Sequence, residues 1–297
     1  MTTKSLSVVV LALVGGETLA SCLKRLPLDK VECVVVLRSG MDAEHWKRRN
    51  PSVILVERPE REPVPHRRAE GLRVASGEVV GFLEDTSWPD EGWCEGVRAA
   101  FIEAQAVAAG GPVKLAPRLP SRCQALFWSE YGAFAPLPQS ETHVTPITRV
   151  PGNNMAFRRR ELLAILEGYD EGLIEGEICA CILANGGQIV FSQRMGVTFS
   201  ACDRHNAQLS TRLHHGRIYA ASMVKNKGWP TRLLYLAKIP VLPVVLAVRA
   251  ARAMLASGSS TSKFRVLFWT GLMATAWALG EALGAMRGER RSMSEWR

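Results

Sequence analysis

The stretch Val79-Val80-Gly81-Phe82-Leu83-Glu84-Asp85-Thr86-Ser87-Trp88-Pro89 decides the fold. An apolar run ends in two adjacent carboxylates, and a loop closed by proline follows. A short apolar run bounded by turn signals reads as a buried strand of an α/β sheet. Carboxylates at the carboxyl end of such a strand stand where open α/β sheets bind ligands. There they suit a divalent cation held against a phosphorylated substrate. Taken alone, a Glu-Asp pair at a strand end is more often a solvated turn. The flanking sequence has to decide between the two.

Upstream, residues 5–13 are β-branched and apolar and read as a buried first strand. Gly15-Gly16 turn the chain, and residues 17–26 place Leu19, Cys22, Leu23 and Leu26 at helical spacing. A strand over 31–37, a short polar helix over 42–49 and a strand over 53–56 come next. A proline-rich loop (Pro59, Pro63, Pro65) leads to a helix over 66–76, closed by Gly77. Such alternation predicts a mostly parallel sheet with right-handed crossovers. Downstream, residues 90–108 read as one long amphipathic helix and 123–134 as a helix with aromatics. Helices are also expected over 161–166 and from about residue 175 to Asn185-Gly186-Gly187, a good helix C-terminus, with a strand over 188–191.

Charge divides the chain. The net charge is +9, yet residues 204–297 hold 15 of the 37 basic residues and three of the 28 acidic ones. A near-neutral body with a basic, apolar tail argues against nucleic-acid binding by the whole protein and fits an anionic membrane surface. Residues 204–227 are basic and helical in pattern. Two apolar stretches follow, 233–255 and 264–286, the first broken by Lys238, Pro240, Pro243 and Arg249. A full span needs roughly 20 apolar residues, so both are marginal. A two-span hairpin and a pair of interfacial helices both remain open, and basic flanks on every side give no clean orientation. Seven scattered cysteines, with only Cys179-x-Cys181 closely spaced, match no zinc pattern and suggest buried thiols in a reducing compartment. No secretory signal pattern is read at the N-terminus.

In this order the features resemble a family-2 glycosyltransferase of the GT-A fold, an inverting enzyme that uses nucleotide-diphospho-sugars. The matching pieces are the first strand, the segment Arg67-Arg68-Ala69-Glu70-Gly71 through Gly77-Glu78, and Phe82-Leu83-Glu84-Asp85-Thr86 with Pro89 and Trp93. Further on come Pro151-Gly152-Asn153-Asn154-Met155-Ala156-Phe157-Arg158, and Tyr169-Asp170-Glu171 through Glu175 to Gly187. The tail Trp277-Ala278-Leu279-Gly280-Glu281-Ala282-Leu283-Gly284 resembles the end of a membrane-attached bacterial subgroup.

The resemblance implies a set of roles. Glu84, Asp85 and Thr86 occupy the family's DxD position, where carboxylates bind Mg²⁺ or Mn²⁺ across the donor diphosphate. Arg68 lies in the family's arginine segment and is expected to pair with that diphosphate, although Arg67 and Arg73 are as available. Leu11, Leu13 and Glu17, around the end of the first strand, are expected among the substrate contacts. Asn153 and Asn154 fall in the loop that lines the sugar and acceptor pocket. The general base that takes the acceptor's proton is expected at Glu175, with Glu177 in reserve.

Departures from the pattern are equally specific. The second strand ends at Arg38-Ser39-Gly40, where the family often has an Asp that contacts the nucleotide base or ribose. Thr86 stands for the third DxD carboxylate, and Gly176 for the second acid of the Glu-Asp base motif. The QxxRW motif of processive synthases is absent. The sequence thus predicts residues 1–203 as a GT-A-like catalytic domain and 204–297 as a basic helix plus two membrane-associating helices. It predicts an inverting transfer of one sugar to a hydroxyl of a lipid-linked or cell-envelope glycan, at the inner membrane with the catalytic domain facing the cytoplasm. The alternative is a non-catalytic nucleotide-sugar-binding or scaffold module. A dinucleotide-dependent oxidoreductase fits poorly, because Gly15-Gly16 make no GxGxxG turn.

Overall fold

The computed structural model describes residues 5–102, 104–136, 144–168, 172–202, 209–224, 227–256 and 263–287. The Tyr169-Asp170-Glu171 motif and the start of the basic segment, 203–208, lie outside them. The chain divides into two compact units, Met1–Ala116 with Pro136–Ala201, and Pro117–Ala135 with Cys202–Arg297. The sequence placed a single cut at 203/204. Here the segment 117–135 joins the helical tail.

The elements of the first unit run β1 (Leu6–Leu11), α1 (Gly16–Leu23), β2 (Glu32–Arg38), α2 (Ala43–Arg49), β3 (Ile54–Arg58), α3 (Val64–Val74), β4 (Val79–Glu84), β5 (Ser87–Pro89), α4 (Trp93–Ile102), β6 (Ala108–Gly110) and β7 (Val113–Leu115). After α5 (Ser121–Glu130), which belongs to the second unit, come β8 (Val144–Pro146), β9 (Asn154–Arg158), α6 (Arg159–Leu166), α7 (Glu175–Ala184), β10 (Ile189–Ser192) and β11 (Val197–Phe199). Eight strands form one sheet in the order β3-β2-β1-β4-β9-β6-β10-β8. β3, β2, β1 and β4 are parallel, and β9 runs antiparallel between β4 and β6. Every residue of β1 and β4 is buried, as expected of central strands covered on both faces.

Two glycines set how closely the layers approach. A side chain at Gly71 of α3 would collide with Val9 of β1, so the helix lies directly on the sheet. A Cβ at Gly81 of β4 would lie 2.6 Å from the indole of Trp93, which covers the strand. Because β3 runs parallel to β2 and α3 returns across the sheet, the first turn of α3 sits at the carboxyl edge. That edge also carries Glu84.

Two expectations are corrected in this unit. The helix expected over 90–108 stops at Ile102, and Ala108-Ala109-Gly110 form β6, paired with β9 and β10. Pairing with two strands overrides the helix preference of alanine. The second is the loop expected up to Pro89, where residues 87–89 instead form β5 in a three-stranded sheet, β5-β11-β7. Strands of three residues are too short for periodicity to reveal them.

The second unit is helical: α5, α8 (Leu209–Met223), α9 (Trp229–Ala237), α10 (Leu242–Ala256) and α11 (Lys263–Arg287). α8 and α11 cross at glycines. A side chain at Gly216, Gly280 or Gly284 would strike main-chain atoms of the facing helix. Arg212 of α8 pairs with Glu130 of α5, and its guanidinium lies 4.9 Å from the Trp277 ring centre. Buried Glu281 accepts hydrogen bonds from Tyr235 Oη at 2.5 Å and Trp277 Nε1 at 2.6 Å. Cys123 and Cys202 form a disulfide, while Cys22, Cys33, Cys94, Cys179 and Cys181 are free thiols. The disulfide runs against the reducing compartment expected from the cysteine pattern. The two partners are 79 positions apart, and no spacing rule links them.

Candidate active site

The site is built at the carboxyl edge of β1 and β4. Asp85, the first residue after β4, is 1% exposed. Its Oδ1 accepts the main-chain N–H of Leu13 at 2.9 Å and of Val14 at 3.1 Å. Its Oδ2 accepts from Val14 at 3.1 Å and Gly15 at 2.6 Å, and its own N–H donates to Leu11 O at 3.0 Å. Gly15 has φ +79°, a conformation that favours glycine. One carboxylate thus ties down the whole β1–α1 turn. Burial pushes its pKa up to about 6 despite the opposing amide bonds of Gly15, Leu13 and Val14, and the charge of Glu84 adds to the rise.

Glu84 takes a different partner. Its Oε1 accepts from Arg68 Nη2 at 2.9 Å. Arg68, on the first turns of α3, also donates through Nη1 to Glu175 Oε2 at 2.8 Å and through Nη2 to Gly152 O at 3.0 Å. The Arg68 and Glu84 side chains are 6% and 10% exposed, whereas Glu175 is 34% exposed. The arginine therefore bridges a buried carboxylate and a solvent-reaching one. Glu175 is the first residue of α7, where the helix dipole favours an acid. Leu173 N–H donates to Pro65 O at 2.9 Å, which stitches the start of α7 to the start of α3. A Cβ at Gly152 would lie 2.8 Å from Glu175 Oε1 and 2.9 Å from Arg68 Nη2, so the two side-chain ends close over the bare main chain there.

The neighbouring asparagines differ. Asn154 is fully engaged: Trp93 Nε1 donates to its Oδ1 at 2.8 Å, and its Nδ2 donates to Met195 O at 2.6 Å. Asn153 Nδ2 donates to Ser87 Oγ at 2.9 Å, while its buried Oδ1 has no partner among the described residues.

Several sequence expectations change on this geometry. Glu84, Arg68, Asn153 and Glu175 are brought to the carboxyl edge. Leu11 and Leu13, expected among the substrate contacts, have buried side chains, and their main-chain groups bond to Asp85. Asn154, also expected among the substrate contacts, holds Trp93 against the sheet through its amide. Glu177 lies two residues beyond Glu175, about 200° around the helix, and so faces away from Arg68. Arg68, expected to meet the diphosphate, is paired with Glu84 and Glu175 in this structure. Glu17 is exposed on the first turn of α1. Gly152 and Ser87 were missed as site residues. Arg67 was weighed only as an alternative to Arg68.

Among the described residues no three His, Cys, Asp or Glu side chains converge as a metal cage. A Mg²⁺ or Mn²⁺ that shares its shell with substrate phosphates needs only one or two protein oxygens. Thr86 Oγ1 and Glu84 Oε2, 3.5 Å apart and both hard donors, fit that demand. Asp85, the other carboxylate expected there, turns both oxygens to main-chain amides.

No protein-family model matches the sequence, and no curated protein does. The structure is similar to GalNAc-T7 solved with UDP, GalNAc and Mn²⁺, with a TM-score of 0.57 and 17% identity, over 80% of this chain and 51% of that one. The chain thus spans about half the length of that protein. It is also similar to the mannosyltransferase PcManGT from Pyrobaculum calidifontis in complex with GDP-Man and Mn²⁺, with a TM-score of 0.56 and 19% identity, over 94% of this chain and 86% of that one. Both are GT-A glycosyltransferases, and the chain has the GT-A fold that its sequence led one to expect. At these identities the likeness speaks to fold alone.

Proposed function

We propose that the protein is an inverting glycosyltransferase that moves one sugar from a nucleotide-diphospho-sugar to a hydroxyl of a lipid-linked or cell-envelope glycan. The observation that carries this reading is the Glu84–Arg68–Glu175 bridge at the ligand-binding edge of a GT-A sheet. Glu175, reached by solvent, takes the acceptor proton, and Arg68 fixes its direction. Glu84 and Thr86 would hold the Mg²⁺ or Mn²⁺ that such a donor brings. When bound, the cation neutralises charge developing on the departing diphosphate. Asn153 Oδ1 accepts from a sugar hydroxyl. The absence of QxxRW favours a single transfer over polymerisation.

The second unit supports attachment to a membrane. Among the described residues one helix, Lys263–Met286, is long and apolar enough to cross, or two if the bent pair α9–α10 counts as one span. Spanning by α11 would draw α8, with Arg212 and Arg217, into hydrocarbon, because the two helices interlock at glycines. We therefore favour docking on the surface. α9 and α10 expose Leu234 (76%) and Val244 (62%) beside Arg232, Lys238, Arg249 and Arg252, a combination that suits an anionic interface. The basic charge favours the cytoplasmic leaflet, while the Cys123–Cys202 bridge argues for an oxidising compartment. Thiol alkylation in cells, with and without reductant, decides between them.

The direct test is nucleotide-diphosphate release from UDP-, GDP- and dTDP-sugars with Mn²⁺ and envelope lipid acceptors. Turnover with one donor supports the reading. Tight donor binding without turnover leaves the binding-module alternative, which the Thr86 and Gly176 departures favour.

A further inference from the structure

Arg67 is a buried cation with unmet hydrogen bonds. It is 3% exposed, and its Nε and Nη1 are fully buried with no partner among the described residues. Native structures pair nearly all such groups, and a lone buried charge is among the costliest things a fold can hold. Arg67 lies one turn before Gly71, on the face of α3 that rests against β1 and β2. It therefore sits at the carboxyl edge, beside the end of β2. There Arg38 replaces the acid expected from the resemblance.

The surroundings are short of negative charge. Glu62 is bound to Arg58, with Arg58 Nε to Glu62 Oε2 at 2.8 Å, and Glu84 is bound to Arg68. The first turn of α3 has neither an acid nor a side-chain cap, so its positive end adds to the field. Burial and neighbouring Arg38 pull the Arg67 pKa down to about 10, which leaves it charged at neutral pH.

We propose that Arg67, with Arg38 beside it, is the anchor for the donor's diphosphate, the role that the resemblance implies for Arg68. This rests on the reading of the chain as a nucleotide-sugar enzyme. A guanidinium offers two parallel N–H groups to phosphate oxygens, and a dry site strengthens that bond. Binding supplies the missing acceptors and neutralises the Arg38–Arg67 repulsion. Arg68 stays with Glu84 and Glu175, so donor anchoring and base positioning fall to adjacent arginines.

The experiment is titration calorimetry in EDTA with inorganic pyrophosphate, uridine, UMP and UDP, and with the guanosine series, on wild type, Arg67→Met, Arg67→Lys and Arg38→Gln. Wild type is expected to bind pyrophosphate and to gain affinity with each added phosphate. Arg67→Met is expected to lose roughly 10- to 100-fold of that gain, with Lys intermediate and Arg38→Gln milder. Arg67→Met is also expected to raise the thermal midpoint of the free protein, because it removes an unmatched charge. An equal loss for nucleoside and nucleoside diphosphate would place Arg67 at the base and overturn the proposal. So would a marked fall in thermal midpoint, or no pyrophosphate binding by wild type. Pyrophosphate binding that depends on Arg67, without sugar transfer, would leave this inference standing and defeat the proposed function.

Discussion

Arg68 donates to Glu175 at 2.8 Å across 107 positions of sequence. The same guanidinium holds Glu84 at 2.9 Å, so one residue links the strand-end carboxylate to the candidate base. Removing it takes from buried Glu84 the cation it is hydrogen-bonded to. Arg68→Met is expected to cost about 3–5 kcal/mol of stability, measured by urea unfolding. Arg68→Lys, which keeps the charge but not the fork, is expected to lose less stability while still lowering turnover.

Gly152 gives a milder probe of the same bridge. Alanine there would press on Glu175 Oε1 and Arg68 Nη2, the far ends of side chains rather than main chain. Gly152→Ala is expected to keep stability within about 1 kcal/mol and to lower turnover by displacing the base. Unchanged turnover would show that the position of Glu175 does not matter.

The adjacent asparagines are expected to behave oppositely. Asn154→Ala breaks the bonds to Trp93 and Met195 and should cost about 1–3 kcal/mol with donor affinity retained in the folded fraction. Asn153→Ala leaves Ser87 without its donor and removes the buried acceptor oxygen, so donor binding should weaken more than stability. Parallel unfolding curves and donor titrations separate the two.

Asp85 carries a pH signature. Its carboxyl titrates at about 6 in the folded protein, above the ordinary value of 3.8. Between roughly pH 4 and pH 6 the native state keeps a proton that the unfolded chain has lost. Stability from this group therefore falls as pH rises through that window and is flat above it, by on the order of 3 kcal/mol at most. Asp85→Asn is expected to abolish this slope. It should also loosen the Leu13–Gly15 turn, because an amide nitrogen would then face main-chain N–H groups. Chemical denaturation from pH 4 to 7 is the measurement, and identical slopes in both proteins would contradict the assignment.

Much of the fold was legible because long, strongly patterned elements announce themselves. β1, β2 and β4 are apolar runs, and Gly77 and Gly186-Gly187 punctuate the chain where elements end. Short elements were not legible. β5, β7 and β11 hold three residues each, and β6 is alanine-rich and gains its conformation from β9 and β10. At the site, the sequence located Glu84, Arg68 and Glu175 but could not assign partners. Asp85 reads as a ligand beside Glu84, yet its oxygens meet amides about 70 positions away, a contact that only the closed turn creates. Arg67 and Arg68 are indistinguishable in sequence. One helical step sends one to hydrogen bonds with two carboxylates and leaves the other buried with two guanidinium nitrogens that have no partner among the described residues.

The central claim is that Glu175 removes the acceptor proton in a sugar transfer. The most direct measurement compares wild type and Glu175→Gln for turnover and donor affinity, using the donor that supports nucleotide-diphosphate release. The account predicts a fall in turnover of about 10²- to 10⁴-fold with donor affinity nearly unchanged. Turnover by Glu175→Gln close to wild type would contradict it.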